Sequence, residues 1–166
     1  TGGKTDWGDV AGSAVASGVG MAVGQALIPI PFVGAMVGGI VGSVAYDTVE
    51  TPFGRAERVL GGSASFFSVA ASFFTPVHLV GVVGHDFGEP QLAAFHGRPI
   101  DLEGLERMEG KTFHWQGKYS LDLNSRDTIC TDLNVFEFFK PKIPARYRGS
   151  EVVFFGNIDP VLQRQV

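Results

Sequence analysis

Asp47 closes the apolar run V-G-S-V-A-Y-D, and the chain later reads Gly61-Gly62-Ser63 before an apolar segment. These residue types suit the binding of a polyol. An ionised carboxylate only accepts hydrogen bonds, so it takes them from hydroxyls. Glycines let a backbone approach a ligand closely. Two further positions are expected near the same place. One is the loop G-H-D-F-G, Gly84 to Gly88, after the apolar run H-L-V-G-V-V. The other is Asn157 in G-N-I-D-P, after E-V-V-F-F. Asp47, Gly61, Gly62, Ser63 and Asn157 are therefore the candidate substrate-binding residues. None of them is read as catalytic.

Other chemistry-bearing groups carry weaker signals. Gly3-Lys4-Thr5 and Gly110-Lys111-Thr112 echo the end of a phosphate-binding loop, but the second has Leu105 where that loop needs its first glycine. His78, His85, His96 and His114 show no metal-ligand spacing, so no metal site is expected. Ser63 has no evident His/Asp partners for nucleophilic catalysis. Glu103, Glu106 and Glu109 read as one solvated helix side. Phe66, Phe67, Phe73 and Phe74 read as core, and Cys130 as a small buried residue. A single cysteine excludes an internal disulfide and fits a reducing, cytoplasmic setting.

The elements that must position Asp47 and its neighbours follow from hydrophobic period. Ile40–Ala45 is the first strand candidate. A helix is expected over 64–74, where Phe66, Val69, Ala70, Phe73 and Phe74 share a face. His78–Val83 and Glu151–Phe155 read as buried strands, and Glu89–Phe95 as a short helix. Thr112–Leu123 alternates like a β-ribbon, 125–139 holds at least one more strand, and a last helix starts near Val161. Strands alternating with helices indicate a parallel sheet with crossovers, with ligands beyond the strand C-terminal ends.

The 166 residues carry a net charge of −4 and no Lys/Arg cluster, which excludes a nucleic-acid partner. No charged residue lies between Asp9 and Asp47. Within that stretch Gly12, Ala16, Gly20 and Gly24 recur at a helical period, Pro29 and Pro31 interrupt it, and Gly34, Gly38 and Gly42 resume it. The stretch reads as an apolar helical hairpin with glycine-lined faces, suited to close helix packing. Two settings stand for it: a lipid bilayer contacted through residues 10–46, or packed helices in solution. Residues 1–35 are taken as an extension, loosely similar to glycine-zipper peptides. Residues 36–166 are taken as the main domain, since Met36 would serve as a start on its own.

From Val41 onward the chain resembles the N-terminal part of the ribokinase-like (PfkB) carbohydrate kinases. The pieces that carry the resemblance are V-G-S-V-A-Y-D, L-G-G-S-A-S-F-F-S, V-V-G-H-D-F-G and the late G-N-I-D-P. The resemblance implies an α/β fold with a partial ribokinase-like parallel sheet, flanking helices and a β-ribbon lid. It implies that Asp47 binds sugar hydroxyls and that Gly61, Gly62 and Ser63 line the sugar pocket. The family usually has an Asn shortly after the Gly pair, where this chain has Ser65-Phe66-Phe67. The family's substrates are sugars or nucleosides, and its cofactors are ATP and Mg. Its Gly-Ala-Gly-Asp turn supplies the catalytic base and anion hole, and no such sequence occurs here. The resemblance thus points to the sugar-binding half of a kinase, without a nucleotide site and without turnover by itself. The competing expectation is a membrane-associating or self-associating module carrying that half as a passenger.

Overall fold

The computed structural model describes residues 37–166. The extension 1–35, most of the apolar hairpin and Gly3-Lys4-Thr5 lie outside the described residues. Two four-stranded sheets organise the rest. Sheet A contains β1 (Gly38–Val41), β4 (Val77–Val83), β5 (Ile100–Arg107) and β8 (Val152–Phe155), in the order β5-β4-β1-β8. Every pairing in it is parallel. Sheet B contains β2 (Ala45–Thr51), β3 (Gly54–Gly61), β6 (Phe113–Tyr119) and β7 (Arg126–Asp132), in the order β3-β2-β6-β7. Its hairpins β2–β3 and β6–β7 are antiparallel, and β2 joins β6 in parallel.

Helices are short. α1 (Ser63–Ala71) packs on β1 and β4, while α2 (Glu89–Leu92) and α3 (Pro160–Gln163) are single turns. Two 3-10 turns cover Asn134–Phe138 and Ala145–Gly149. They contribute Val135 and Tyr147, which join Phe139 and Ile158 against Val41, Val80 and Val82 to form the main core cluster. Tyr147 is anchored there by its hydroxyl, which reaches Asp101 Oδ1 at 2.7 Å and accepts the Gly104 N–H at 3.2 Å. Burial first, and then the Asp101 carboxylate, push this phenol up to about 12. The His78 ring stacks on it at 4.1 Å.

Several expectations need correction. The run Val41–Asp47 is not one strand. β1 stops at Val41, Gly42-Ser43-Val44 crosses over, and β2 begins at Ala45 in the other sheet. Asp47 therefore sits inside a strand. Gly38 and Gly42 belong to β1 and its end, not to a helix arm, and β1 is hydrogen-bonded on both sides. Glu103 and Glu106 lie on β5 and pair with Arg146 and Lys142 respectively, so they belong to a strand and not to a helix side.

α1 is where the sequence suggested it, and Val69 is buried as expected, but small residues replace the phenylalanines on its inner face. Its inner face is Ala64, Ser65, Ser68 and Val69. Phe66, Phe67, Phe73 and Phe74 are 52%, 40%, 53% and 49% exposed. The cause is the close fit of helix to sheet. A Cβ added at Gly42 would lie 3.3 Å from the Ala64 Cβ, so only small side chains fit the contact. Phe67 and Phe74 border an apolar groove of about 460 Å³ with Ile40, Val152 and Val153, and Phe67 stacks on Phe154 at 3.6 Å. β8 is an edge strand among the described residues. Val152, Val153 and Phe155 are exposed rather than buried on both faces. The ribbon expected at Thr112–Leu123 is one strand and a turn, and its partner is β7. No helix of the described residues is long and apolar enough to cross a membrane.

Candidate functional site

The crossover Gly42-Ser43-Val44 builds the site. Gly62 has φ of 92°, and a Cβ there would fall 2.3 Å from the Ser43 carbonyl oxygen, so the turn into α1 requires glycine. Ser43 then takes up the first donors of the helix. Its Oγ accepts the Ser63 N–H at 3.1 Å and its carbonyl accepts the Ala64 N–H at 2.9 Å. This is helix capping by a residue distant in sequence. It also occupies two of the amides that would otherwise face an anion.

Ser63 Oγ lies 3.2 Å from Ser43 Oγ. It points between two glycines, since a Cβ on Gly156 would come within 2.3 Å of it and one on Gly42 within 3.0 Å. Gly156 follows β8 and precedes Asn157, so the ends of β1 and β8 and the start of α1 converge. Gly61, Gly62 and Ser63 are brought together, and Asn157 sits on the exposed turn beside them. Gly42, Ser43 and Gly156 complete the arrangement; none was named as a site residue from sequence, and Gly42 was read as a helix-face glycine. The signal for Gly42 was its place in V-G-S, which reads as strand interior when the crossover is not recognised.

Asp47 lies against Gly61. A Cβ at Gly61 would be 2.3 Å from the Asp47 carboxyl carbon, so the glycine leaves room for the carboxylate. The side chain is half-buried. No hydrogen bond or ion pair from the described residues reaches its oxygens. Burial pushes its carboxyl up from the usual range, with His114 acting in the opposite direction.

The Gly84–Gly88 loop has a different role from the one expected. Asp86 Oδ1 accepts both the Thr112 N–H at 2.8 Å and the Thr112 hydroxyl at 2.7 Å, and Arg58 donates to Oδ2 at 2.6 Å. The Tyr46 hydroxyl donates to the Asp86 carbonyl at 2.8 Å, and Arg58 stacks over the Tyr46 ring. Arg107 donates to the Gly84 and Phe87 carbonyls. Burial works to raise the Asp86 carboxyl, but the bonds from Thr112 and Arg58 outweigh it and hold the group below its ordinary value. The loop is the joint between the two sheets, and its carboxylate is already saturated. His85 is exposed. Gly110-Lys111-Thr112 leads into β6 rather than a helix, and Thr112 is spent on Asp86, so this turn is no phosphate loop.

What decides the fold is the pairing of a parallel sheet bearing α1 with a second sheet entered through the Gly42-Ser43-Val44 crossover. The described residues have a ribokinase-like fold. A nucleoside kinase from Methanocaldococcus jannaschii, described as an archaeal member of the ribokinase family, superposes on 78% of this chain and 47% of its own, with a TM-score of 0.60 and 16% identity. A ribokinase from Cryptococcus neoformans var. grubii serotype A in complex with ADP superposes on 78% and 45%, with a TM-score of 0.58 and 17% identity. In sequence, a cytidine kinase of Thermococcus kodakarensis is 33% identical over 84 residues, which is 50% of this chain and 30% of the relative. No family model matches the chain. The chain spans less than half the length of each of these relatives.

Proposed function

We propose that this chain binds a sugar or nucleoside through vicinal hydroxyls at Asp47, as the substrate side of a ribokinase-like kinase. One observation carries the reading: a half-buried carboxylate, seated on Gly61, with no partner among the described residues. A carboxylate in such a place has only solvent for a partner, and ligand hydroxyls can replace that water. Two ribose or hexose hydroxyls donating to its two oxygens would satisfy it. Gly61 and Gly62 let the ligand approach the backbone, and Asn157 adds a donor and an acceptor from the facing turn. Sheet B, attached through β2, stands as the lid. The sequence relative is a cytidine kinase, which favours the nucleoside branch.

The fold family implies ATP and Mg. The described residues do not fit a nucleotide. Two of the amides at the start of α1 are taken by Ser43, the Gly110–Thr112 turn is taken by Asp86, and the chain has no Gly-Ala-Gly-Asp. We therefore derive no phosphoryl-transfer step. The function of these residues is to bind and orient the acceptor. Calorimetric titration with ribose, fructose, adenosine and cytidine, on the full chain and on Asp47→Ala, tests this. Millimolar-range binding that disappears in the variant supports it. Binding unaffected by the substitution places the ligand elsewhere.

A further inference from the structure

Histidine and cysteine that are remote in sequence meet on sheet B. The β6–β7 register sets His114 directly opposite Asp132, and Cys130 lies two residues from Asp132 on the same face of β7. One ligand atom from each of the three falls within 4.8 Å of the others. His114 Nδ1 is 3.6 Å from Asp132 Oδ2. We propose that His114, Cys130 and Asp132 form a binding site for a divalent cation of the zinc class.

The donor set is one nitrogen, one sulfur and one oxygen. That mixture suits a borderline-soft cation and not Mg or Ca, which take oxygen. Tetrahedral zinc holds its ligands about 3.3–3.8 Å apart, given metal–ligand distances near 2.0–2.3 Å. Closing from the present spacing needs a shift of roughly 1 Å by the ligands. Asp132 is well placed to supply it, because its side chain is 56% exposed while that of His114 is 17% exposed. The imidazole is held from behind. Its Nε2 lies 2.9 Å from the hydroxyl of Thr48, a buried residue on the neighbouring strand β2. Thr48 Oγ1 also accepts the Arg58 N–H at 3.2 Å, and its second lone pair remains for an Nε2–H. That tautomer leaves the Nδ1 lone pair facing Asp132, which is how metal-bound histidines are commonly oriented by an outer partner.

Binding is proton-balanced. On binding, the cation takes the Cys130 thiolate and one proton leaves to solvent. Three protein ligands leave a fourth position for water.

Titration of the full chain with Co2+ alone tests the proposal. The chain has one cysteine, so a thiolate-to-cobalt charge-transfer band can come only from Cys130. The expected result is that band together with intense visible bands of tetrahedral cobalt, at one metal per chain by native mass spectrometry, with bleaching when Zn2+ is added. Cys130→Ser abolishes the charge-transfer band. Asp132→Asn and His114→Gln each weaken cobalt binding by at least about tenfold, and Thr48→Val weakens it by about 10–100-fold. Circular dichroism of each variant separates loss of metal from loss of fold, and Asp132, being exposed, is the variant least exposed to that ambiguity. Absence of the charge-transfer band at saturating cobalt overturns the proposal. So does a band whose strength is unchanged in folded Asp132→Asn, or a stoichiometry of two chains per metal.

Discussion

Replacing Asp47 by Asn separates the cost of the carboxylate from its use. The substitution keeps the shape that fits over Gly61 and removes the charge. Because burial raises the folded-state value of this carboxyl, ionisation is harder in the folded chain than in the unfolded one. The sign follows directly. The stability linked to Asp47 is complete below the unfolded value, near 3.9, and is lost as pH rises through the raised folded value. The Asn variant should therefore match the parent in acid and exceed it at pH 7. Each unit of upward shift corresponds to about 1.4 kcal/mol, and about 1 kcal/mol moves the melting temperature of a domain this size by roughly 4 °C. Ligand binding should change in the opposite direction. Hydrogen bonds to a charged group contribute about 1.5–3 kcal/mol, so affinity for a sugar or nucleoside should fall about 10–150-fold. Differential scanning fluorimetry from pH 4 to 8, paired with calorimetric titration, reads both. An Asn variant that is less stable than the parent at pH 7 and binds ligand equally well would refute the reasoning and make Asp47 a structural group.

Gly61→Ala places a methyl within 2.3 Å of the Asp47 carboxyl carbon, so the carboxylate must swing away. Ligand affinity should fall as far as in Asp47→Asn by calorimetry, with a stability change under about 2 kcal/mol. Asp86→Ala strands the Thr112 N–H and hydroxyl and frees Arg58, which should cost about 3 kcal/mol in urea unfolding at pH 7. The Asp86 carboxyl is held low, so its contribution is present above about pH 3.9 and lost as pH falls through the lower folded value. The gap between parent and Asp86→Ala should accordingly narrow in acid. Ser68→Ala removes a buried hydroxyl with no hydrogen-bond partner and should stabilise by about 1 kcal/mol in thermal unfolding. Val153→Glu puts a charge on the exposed edge strand β8, and sedimentation velocity should show the variant no more associated than the parent.

Strand β4 and helix α1 were legible because their periods are clean. His78–Val83 is a near-continuous apolar run, as a strand buried on both faces should be. Asp47, Gly61 and Gly62 stand out in the sequence by type, but the place of Asp47 inside β2 does not. Val44, Ala45 and Tyr46 are all buried, so hydrophobicity does not dip where the chain changes sheets. β3 escaped notice because R-A-E-R carries charge on a strand with one wet face. β5 was misread because Glu103 and Glu106 are three apart, a helical spacing, whereas their partners come from the distant Ala145–Gly149 turn and Lys142. The orientation of α1 was unreadable from period alone. Two candidate faces existed, and glycines on other strands selected the one with small side chains. The His114–Cys130–Asp132 group follows only from the β6–β7 register.

The order β5-β4-β1-β8 also sets a timetable. β1 is the first strand of the described residues and lies inside sheet A, yet one of its two partners, β8, is the last. The register places Gly38 beside Val152. During synthesis β1 can pair with β4 early, but its other edge stays unpaired until nearly all of the described chain has left the ribosome. Until then the apolar G-G-I-V segment is an open template for strands of other chains. A pairing this distant in sequence also slows folding, because loop closure precedes the contacts that reward it. The vulnerable interval of this protein is thus written into its topology, and it ends only when V-V-F-F docks.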